Sequence, residues 1–123
     1  MKNILFVLLG SGIGGVLRYL ISKYLKFSIF GSFPLATFLI NILGCFLIGL
    51  FCELFNKNEI SENLKILLTV GFCGGFTTFS TFSNESFGLI KTGDYLSTAV
   101  YISISVFLGI LAVYLGSKVA GKI

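Results

Sequence analysis

The feature that most constrains this chain is a string of glycine, phenylalanine and hydroxyl residues, GFCGGFTTFSTF, at residues 71–82. It lies inside an apolar segment that covers residues 64–90. Glycine destabilises helical backbone, and serine and threonine hydroxyls compete for its hydrogen bonds. The string therefore predicts a membrane helix that is broken at mid-membrane, near residues 74–78. The alternative is a straight helix whose glycines allow close packing against a neighbour.

Four apolar segments have the length of a membrane span, which is about 20 residues. They cover approximately residues 4–25, 35–55, 64–90 and 96–115, and 55% of the 123 residues are hydrophobic. We therefore expect an all-α integral membrane protein of the cell membrane, with one four-helix domain over residues 1–123. The first segment mimics a signal peptide, but no cleavage site of the A-x-A type follows, so we expect it to stay as the first helix. Pro34 is expected at the start of the second helix, and Ser61 is expected to cap the third.

The residue types speak against an enzyme. Histidine is absent, and no nucleophile stands beside a base. Cys45, Cys52 and Cys73 form no CxxC pair, so we interpret them as small packing residues rather than as zinc or redox ligands. The net charge is +4, but its basic residues are scattered, so a nucleic-acid partner is not expected.

Polar residues recur at four-residue spacing on two of the predicted helices. The second helix carries Thr37, Asn41, Cys45 and Gly49, and the fourth carries Ser97, Tyr101, Ser105 and Gly109. Asn41 lies deep in an apolar segment, where its amide must find partners. It either joins two helices or contacts a solute, and the sequence leaves both uses open.

Charged residues within the spans also have two readings. Arg18 continues a face of small residues on the first helix, so it either faces the bundle interior or extends to the membrane surface as Lys23 would. Glu85 is either a partner for Arg18 or a solvated residue near the end of the third helix. Basic residues number five on one side of the predicted topology and four on the other, counting Lys26. This near balance predicts insertion in both orientations and antiparallel pairing.

The pore chemistry that these residues favour is that of an anion. Phe76, Phe79 and Phe82 recur every three residues, and the edge of a phenyl ring carries partial positive charge. Hydrogen-bond donors are available from Asn41, Ser80, Thr81, Tyr101 and Ser105. Neutral donors of this kind bind an ion strongly enough to admit it and weakly enough to release it.

Three pieces of the sequence resemble the CrcB family, also called Fluc, whose members are fluoride channels. They are residues 14–19 (GGVLRY), residues 33–37 (FPLAT) with Asn41 and Gly44, and residues 71–82. The chain departs from the family pattern at Ala36, where glycine is common, and at Gly109, where some members carry a hydroxyl.

The resemblance implies an antiparallel, dual-topology homodimer with two pores and passive fluoride export. It also implies a structural sodium ion at the dimer centre, held by the main-chain carbonyls of Gly74 and Thr77 from both subunits. Phe79 and Phe82 would contact the anion, and Asn41 would be the key amide. Arg18 would lie near the mouth, and the route would be lined by Thr37, Ser80, Thr81, Tyr101 and Ser105.

Two other classes remain as alternatives to a fluoride channel. A small multidrug-type exporter is also short, four-helical and often of dual topology, but it needs a membrane-embedded carboxylate in its first helix, and this first helix has none. A structural subunit without transport activity would give no purpose to the broken helix or to the two matched polar lines.

Overall fold

The computed structural model describes residues 1–25 and 33–123, and the regular structure of these residues is entirely helical. Helix α1 covers Lys2–Tyr24, α2 covers Leu35–Lys57, and the third span covers Glu62–Lys91. The last helix, α6, covers Tyr95–Lys122. Each of these four spans is long and apolar enough to cross a membrane, which confirms the all-α prediction. Lys26, which entered the charge count, lies outside the described residues.

The third span consists of several pieces. Helix α3 (Glu62–Ile66) passes into a π-helical segment, Leu67–Cys73, which is followed by one helical turn, α4 (Gly74–Phe76). Two residues then leave the helix, and α5 continues over Phe79–Lys91. Extra residues in a π-helical turn often mark functional sites, and here the π-helical segment leads directly into the interruption.

The interruption lies at Thr77 and Thr78, whose backbones are extended, with φ −81° and ψ 159° for Thr77 and φ −149° and ψ 124° for Thr78. The sequence-based reason for it was wrong. Gly74 is helical, with φ −63° and ψ −38°, and Gly93 is the only described residue with positive φ. Unwinding therefore does not use the conformational freedom of the paired glycines.

The glycines instead allow α1 and the third span to approach each other closely. A Cβ atom added at Gly75 would lie 2.5 Å from the carbonyl oxygen of Ser11, and one added at Gly10 would lie 2.7 Å from the backbone nitrogen of Phe72. Such distances are far below a normal contact, so neither position accepts a side chain. Both sequence interpretations of this span therefore apply, but to different residues.

Helices α2 and α6 pack as a second, parallel pair. The Cβ of an alanine at Gly116 would lie 2.9 Å from the backbone nitrogen of Leu50, so the two backbones approach closely here as well. At the end of the pair, Lys57 Nζ donates a hydrogen bond to the carbonyl oxygen of Gly121 at 2.8 Å. Since both residues lie at C-terminal helix ends, α2 and α6 run in the same direction.

The helix starts follow the sequence. Pro34 directly precedes α2, as predicted. The Ser61 side chain accepts a hydrogen bond from the Leu64 backbone at 3.3 Å, which confirms the predicted cap. Gly93, with φ 81°, forms the turn before α6, and the Asp94 carboxylate accepts from the Ser97 backbone at 3.2 Å.

Candidate functional site

An open cleft of about 430 Å³ lies where α2, the third span and α6 meet. None of the described residues that line it is charged, so its polarity comes from amide, hydroxyl, thiol and backbone groups. Six of the site residues predicted from the sequence line this cleft: Asn41, Gly74, Thr77, Phe79, Phe82 and Ser105. Residues from three separate segments of the chain are therefore brought together in one place.

Asn41 is bonded to the interruption in the third span. Its Nδ2 donates to the carbonyl oxygen of Thr78 at 3.1 Å, and its Oδ1 accepts from the Thr78 backbone N–H at 2.9 Å. The amide joins two helices, as one of the two interpretations held, and one of its two N–H donors is left over. Gly44, three residues later, permits this approach, because a Cβ there would overlap the side chain of Thr77.

The carbonyl groups released by the interruption divide into two kinds. Gly75 has its carbonyl oxygen occupied by Arg18 Nε at 3.1 Å. No hydrogen bond from a described residue reaches the carbonyl oxygens of Gly74 or Thr77. The two oxygens that the family resemblance implies as sodium ligands are thus among those that the described residues leave available, as is the carbonyl oxygen of Phe76.

The phenylalanine stripe is shorter than the sequence predicted. Phe76 is 2% exposed and stacks on Phe72, with ring centroids 5.6 Å apart. Phe79 lies beyond the interruption and is 79% exposed, and its ring centroid is 5.9 Å from that of Phe82. Because the chain leaves the helix between Phe76 and Phe79, the regular spacing does not carry across, and Phe76 belongs to the interior.

A second polar cluster lies behind Phe82. The ring of Phe82 is 5.0 Å from that of Tyr101, which is fully buried and donates a hydrogen bond from its hydroxyl to Glu85 Oε1 at 3.2 Å. Thr37 is buried on α2, and its side chain interacts with both Glu85 and Tyr101. The two matched polar lines of the sequence, on α2 and α6, therefore meet here around a carboxylate.

Glu85 is the residue whose place the sequence analysis missed. The structure gives it neither of the two expected roles, because it is half-buried and bonded to Tyr101, whereas Arg18 is bonded to Gly75. A signal was present, since Glu85 continues the three-residue spacing of Phe79 and Phe82 along one face of α5. Thr78 was also missed, although it caps α5.

The first turn of α5 is held by hydroxyl groups. Thr78 Oγ1 accepts from the Thr81 backbone N–H at 3.2 Å and lies 3.1 Å from Thr81 Oγ1. Ser80 is exposed, and its hydroxyl is 3.4 Å from that of Thr78. Ser105 Oγ, in contrast, is buried and has no hydrogen-bond partner among the described residues, although Ser105 lines the cleft. A buried hydroxyl without a partner is costly, so a solute in the cleft would find a donor there.

Comparison with known proteins identifies the family. The family model for "CrcB-like protein, Camphor Resistance (CrcB)" matches residues 5–117. The chain belongs to the CrcB family. A relative from Phocaeicola vulgatus is 52% identical over 94% of this chain and 96% of its own length. A relative from Flavobacterium psychrophilum is 46% identical over the full length of both chains, and both relatives are named fluoride-specific ion channel FluC.

Membership of the CrcB family and the four apolar spans make this chain a multi-pass integral membrane protein of the cell membrane. The family resemblance drawn from three short pieces of sequence is thereby confirmed over nearly the whole chain. It is favoured over the two alternatives that the sequence had left, the multidrug-type exporter and the structural subunit.

Proposed function

We propose that this chain is a fluoride-specific ion channel, a transport protein and not an enzyme, that lowers cytoplasmic fluoride by passive export. The observation that carries the proposal is the shared name of its relatives, which are 46–52% identical over nearly the entire chain. The neutral cleft supports it, because a small anion can be held there by amide and hydroxyl donors without the deep trap that a lysine would create.

The fluoride pathway runs along the cleft and then towards the second polar cluster. Asn41, Phe79, Phe82 and Ser105 contact the anion in the cleft, the rings through their positively polarised edges. The buried Ser105 hydroxyl, which has no hydrogen-bond partner among the described residues, supports this route. Beyond Phe82 the anion passes Thr37 and Tyr101, and the remaining contributors are Ser80 and Thr81 in the first turn of α5 and Arg18 near the mouth.

The working unit is an antiparallel homodimer whose subunits insert in opposite orientations. Three features support it. Phe79 is 79% exposed and Gly74 is exposed in the single chain, although both line the cleft. The cleft is open in the single chain, and a second copy against Phe79 and Gly74 would cover it. The near balance of basic residues between the two sides removes the usual preference for one orientation.

A sodium ion at the dimer centre completes the proposal. The carbonyl oxygens of Gly74 and Thr77 fit this ion, because they are hard, neutral ligand atoms. Neither accepts a hydrogen bond from a described residue. Two such oxygens from each subunit would surround the ion, which would offset the free energy of leaving them unpaired. The ion holds the two subunits together and is not transported.

Fluoride efflux from liposomes that contain only the purified protein tests this function. We expect rapid fluoride efflux driven by its gradient, with no chloride efflux. Phe82→Ile should abolish the fluoride current while the dimer stays intact. Phe107→Ile is the matched control, because Phe107 is 67% exposed on α6 and does not line the cleft. Wild-type protein that passes no fluoride, or Phe82→Ile that conducts as Phe107→Ile does, would contradict the proposal.

A further inference from the structure

The side chain of Asn41 does for Thr78 what a neighbouring strand does for a residue in a sheet. Its carboxamide has the geometry of a peptide group, and it accepts from the Thr78 N–H at 2.9 Å and donates to the Thr78 carbonyl at 3.1 Å. Thr78 has the extended backbone, φ −149° and ψ 124°, in which its N–H and C=O can both face such a partner. Both polar groups of the unwound residue are thereby satisfied by one side chain.

The third span has another conformation open to it. In an uninterrupted helix the Thr78 N–H would donate to the carbonyl oxygen of Gly74, four residues earlier. Gly74 is already helical, and its carbonyl oxygen accepts no hydrogen bond from a described residue. In the interrupted span the Thr78 N–H is bonded to Asn41 instead. A continuous helix would also need the Gly75 carbonyl, now bonded to Arg18, and the Thr81 N–H, now bonded to the Thr78 hydroxyl. Asn41 is the side chain that holds the polar groups of Thr78 itself.

We infer that Asn41 is a positioning residue that holds the third span in its interrupted conformation by clamping the backbone of Thr78. This positioning role is additional to a direct contact between the Asn41 amide and fluoride. That contact would use the one Asn41 N–H that does not bond to Thr78. The clamp itself does not depend on which solute passes. Its consequence for the cation, that it keeps the Gly74 carbonyl free, rests on the function proposed above.

The clamp also fixes the direction in which α5 begins. Thr78 is the cap of α5, since its hydroxyl accepts the Thr81 backbone N–H at 3.2 Å. Phe79 and Phe82 follow within the first turns, on the side that lines the cleft. If the span became continuous, Phe79 and Phe82 would follow Phe76 at regular helical spacing, and α5 would carry both rings away from their present place in the cleft. Loss of the clamp therefore displaces the pore-lining rings without any change in their chemistry.

Backbone nuclear magnetic resonance of the full-length protein in nanodiscs, in buffer without fluoride, tests the clamp. In the wild type we expect extended-type carbon shifts at Thr77 and Thr78 and a protected Thr78 amide. Asn41→Ala should move those carbon shifts towards helical values, or speed exchange of the Thr78 amide by about tenfold or more, as loss of one hydrogen bond does. Asn58→Ala is the matched control, because Asn58 also donates to a backbone carbonyl, that of Leu54, at an exposed helix end.

A second variant separates the clamp from general destabilisation. Asn41→Asp keeps the shape of the side chain and the acceptor for the Thr78 N–H, but when ionised it has no donor for the Thr78 carbonyl. Protonation restores that donor, so acidification should return the Thr78 shifts of this variant to wild-type values. Asn41→Ala should show no such recovery.

Two results would overturn the inference. One is a wild-type Thr78 amide that exchanges as fast as an unbonded amide. This measurement uses the wild-type protein alone, so it does not depend on the folding of any variant. The other is unchanged Thr77 and Thr78 shifts and unchanged protection in Asn41→Ala, which would leave Asn41 as a solute contact alone. Failure of the proposed function is distinct from both, because it would appear as a lack of fluoride efflux by the wild type while these signals stay as expected.

Discussion

Replacing Gly14 by alanine tests whether close backbone packing of α1 on the third span sets the stability of this fold. The Cβ of an alanine at Gly14 would lie 2.8 Å from the backbone nitrogen of Phe76 and would overlap the carbonyl oxygen of Phe72. Both neighbours are backbone atoms, so no side chain can rotate away. Gly12, two residues earlier in the same helix, has nothing within 4 Å of the corresponding position and is the matched control.

The magnitude follows from the displacement that the added methyl group requires. Carbon normally approaches backbone oxygen at about 3.3–3.6 Å, so α1 must move outwards by roughly 1 Å. A gap of that size removes a quarter to a half of the dispersion energy of each contact along the seam. Overpacked sites lose about 1–3 kcal/mol. The gain of about 1 kcal/mol from better helix propensity is common to both variants. Gly14→Ala should therefore be less stable than Gly12→Ala by about 1–3 kcal/mol.

The assay is reversible unfolding of the purified protein in mixed micelles of increasing SDS content. Circular dichroism or the fluorescence of the five tyrosines can follow it, since the chain has no tryptophan. Fluoride efflux of the same samples adds a second reading. Arg18 lies one turn after Gly14 and bonds the Gly75 carbonyl at 3.1 Å, so displacement of α1 should also slow efflux. Equal unfolding free energies for the two variants would refute the packing argument.

Three further predictions follow from the site and its surroundings. Glu85→Leu should lower the melting temperature more than Glu85→Gln, because only glutamine keeps an acceptor for the fully buried Tyr101 hydroxyl. Gel filtration after heating measures this, and equal losses for the two variants would contradict it. Gly74→Val should leave the subunit helical but monomeric in light-scattering measurements, since a Cβ there meets nothing within 4 Å inside the chain; a stable dimer would place Gly74 away from the interface. Several lysines added to one side should abolish efflux from a single orientation, and co-expression of the oppositely charged variant should restore it, whereas full activity from one orientation would exclude the antiparallel pair.

The sequence predicts the parts of this fold that depend on local patterns. Apolar segments of membrane length gave the four spans, and Pro34 and Ser61 mark the starts of α2 and α3 because proline position and hydroxyl capping are local effects. The assignment of Asn41, Phe79, Phe82 and Ser105 to one site rested on spacing and resemblance, and these residues do line a common cleft.

The rest could not be predicted because it depends on contacts between distant residues. The GG pair suggested unwinding at Gly74. The structure shows instead that Gly75 has no room for a side chain, because the backbone of α1 lies against it. A local sequence pattern contains no information about that neighbour. The true position of the interruption depends on a hydrogen-bond partner 37 residues away from Thr78. The hydrogen-bond partner of Glu85 is Tyr101, on the next helix. The residues next to Glu85 in the sequence therefore could not predict that Glu85 is half-buried.

Because of these long-range contacts, the two halves of the third span belong to two different helix assemblies. Before the interruption, the π-helical segment and α4 pack mainly on α1, through glycines that bring backbone against backbone. After it, α5 packs mainly on α6, where Phe82 meets Tyr101. Thr77 and Thr78 are the junction between these two assemblies, and Asn41 reaches that junction from α2, the parallel partner of α6. The cleft therefore has one wall from each assembly, and its width depends on a junction only two residues long. A change that loosens either assembly should alter conduction before it unfolds the protein.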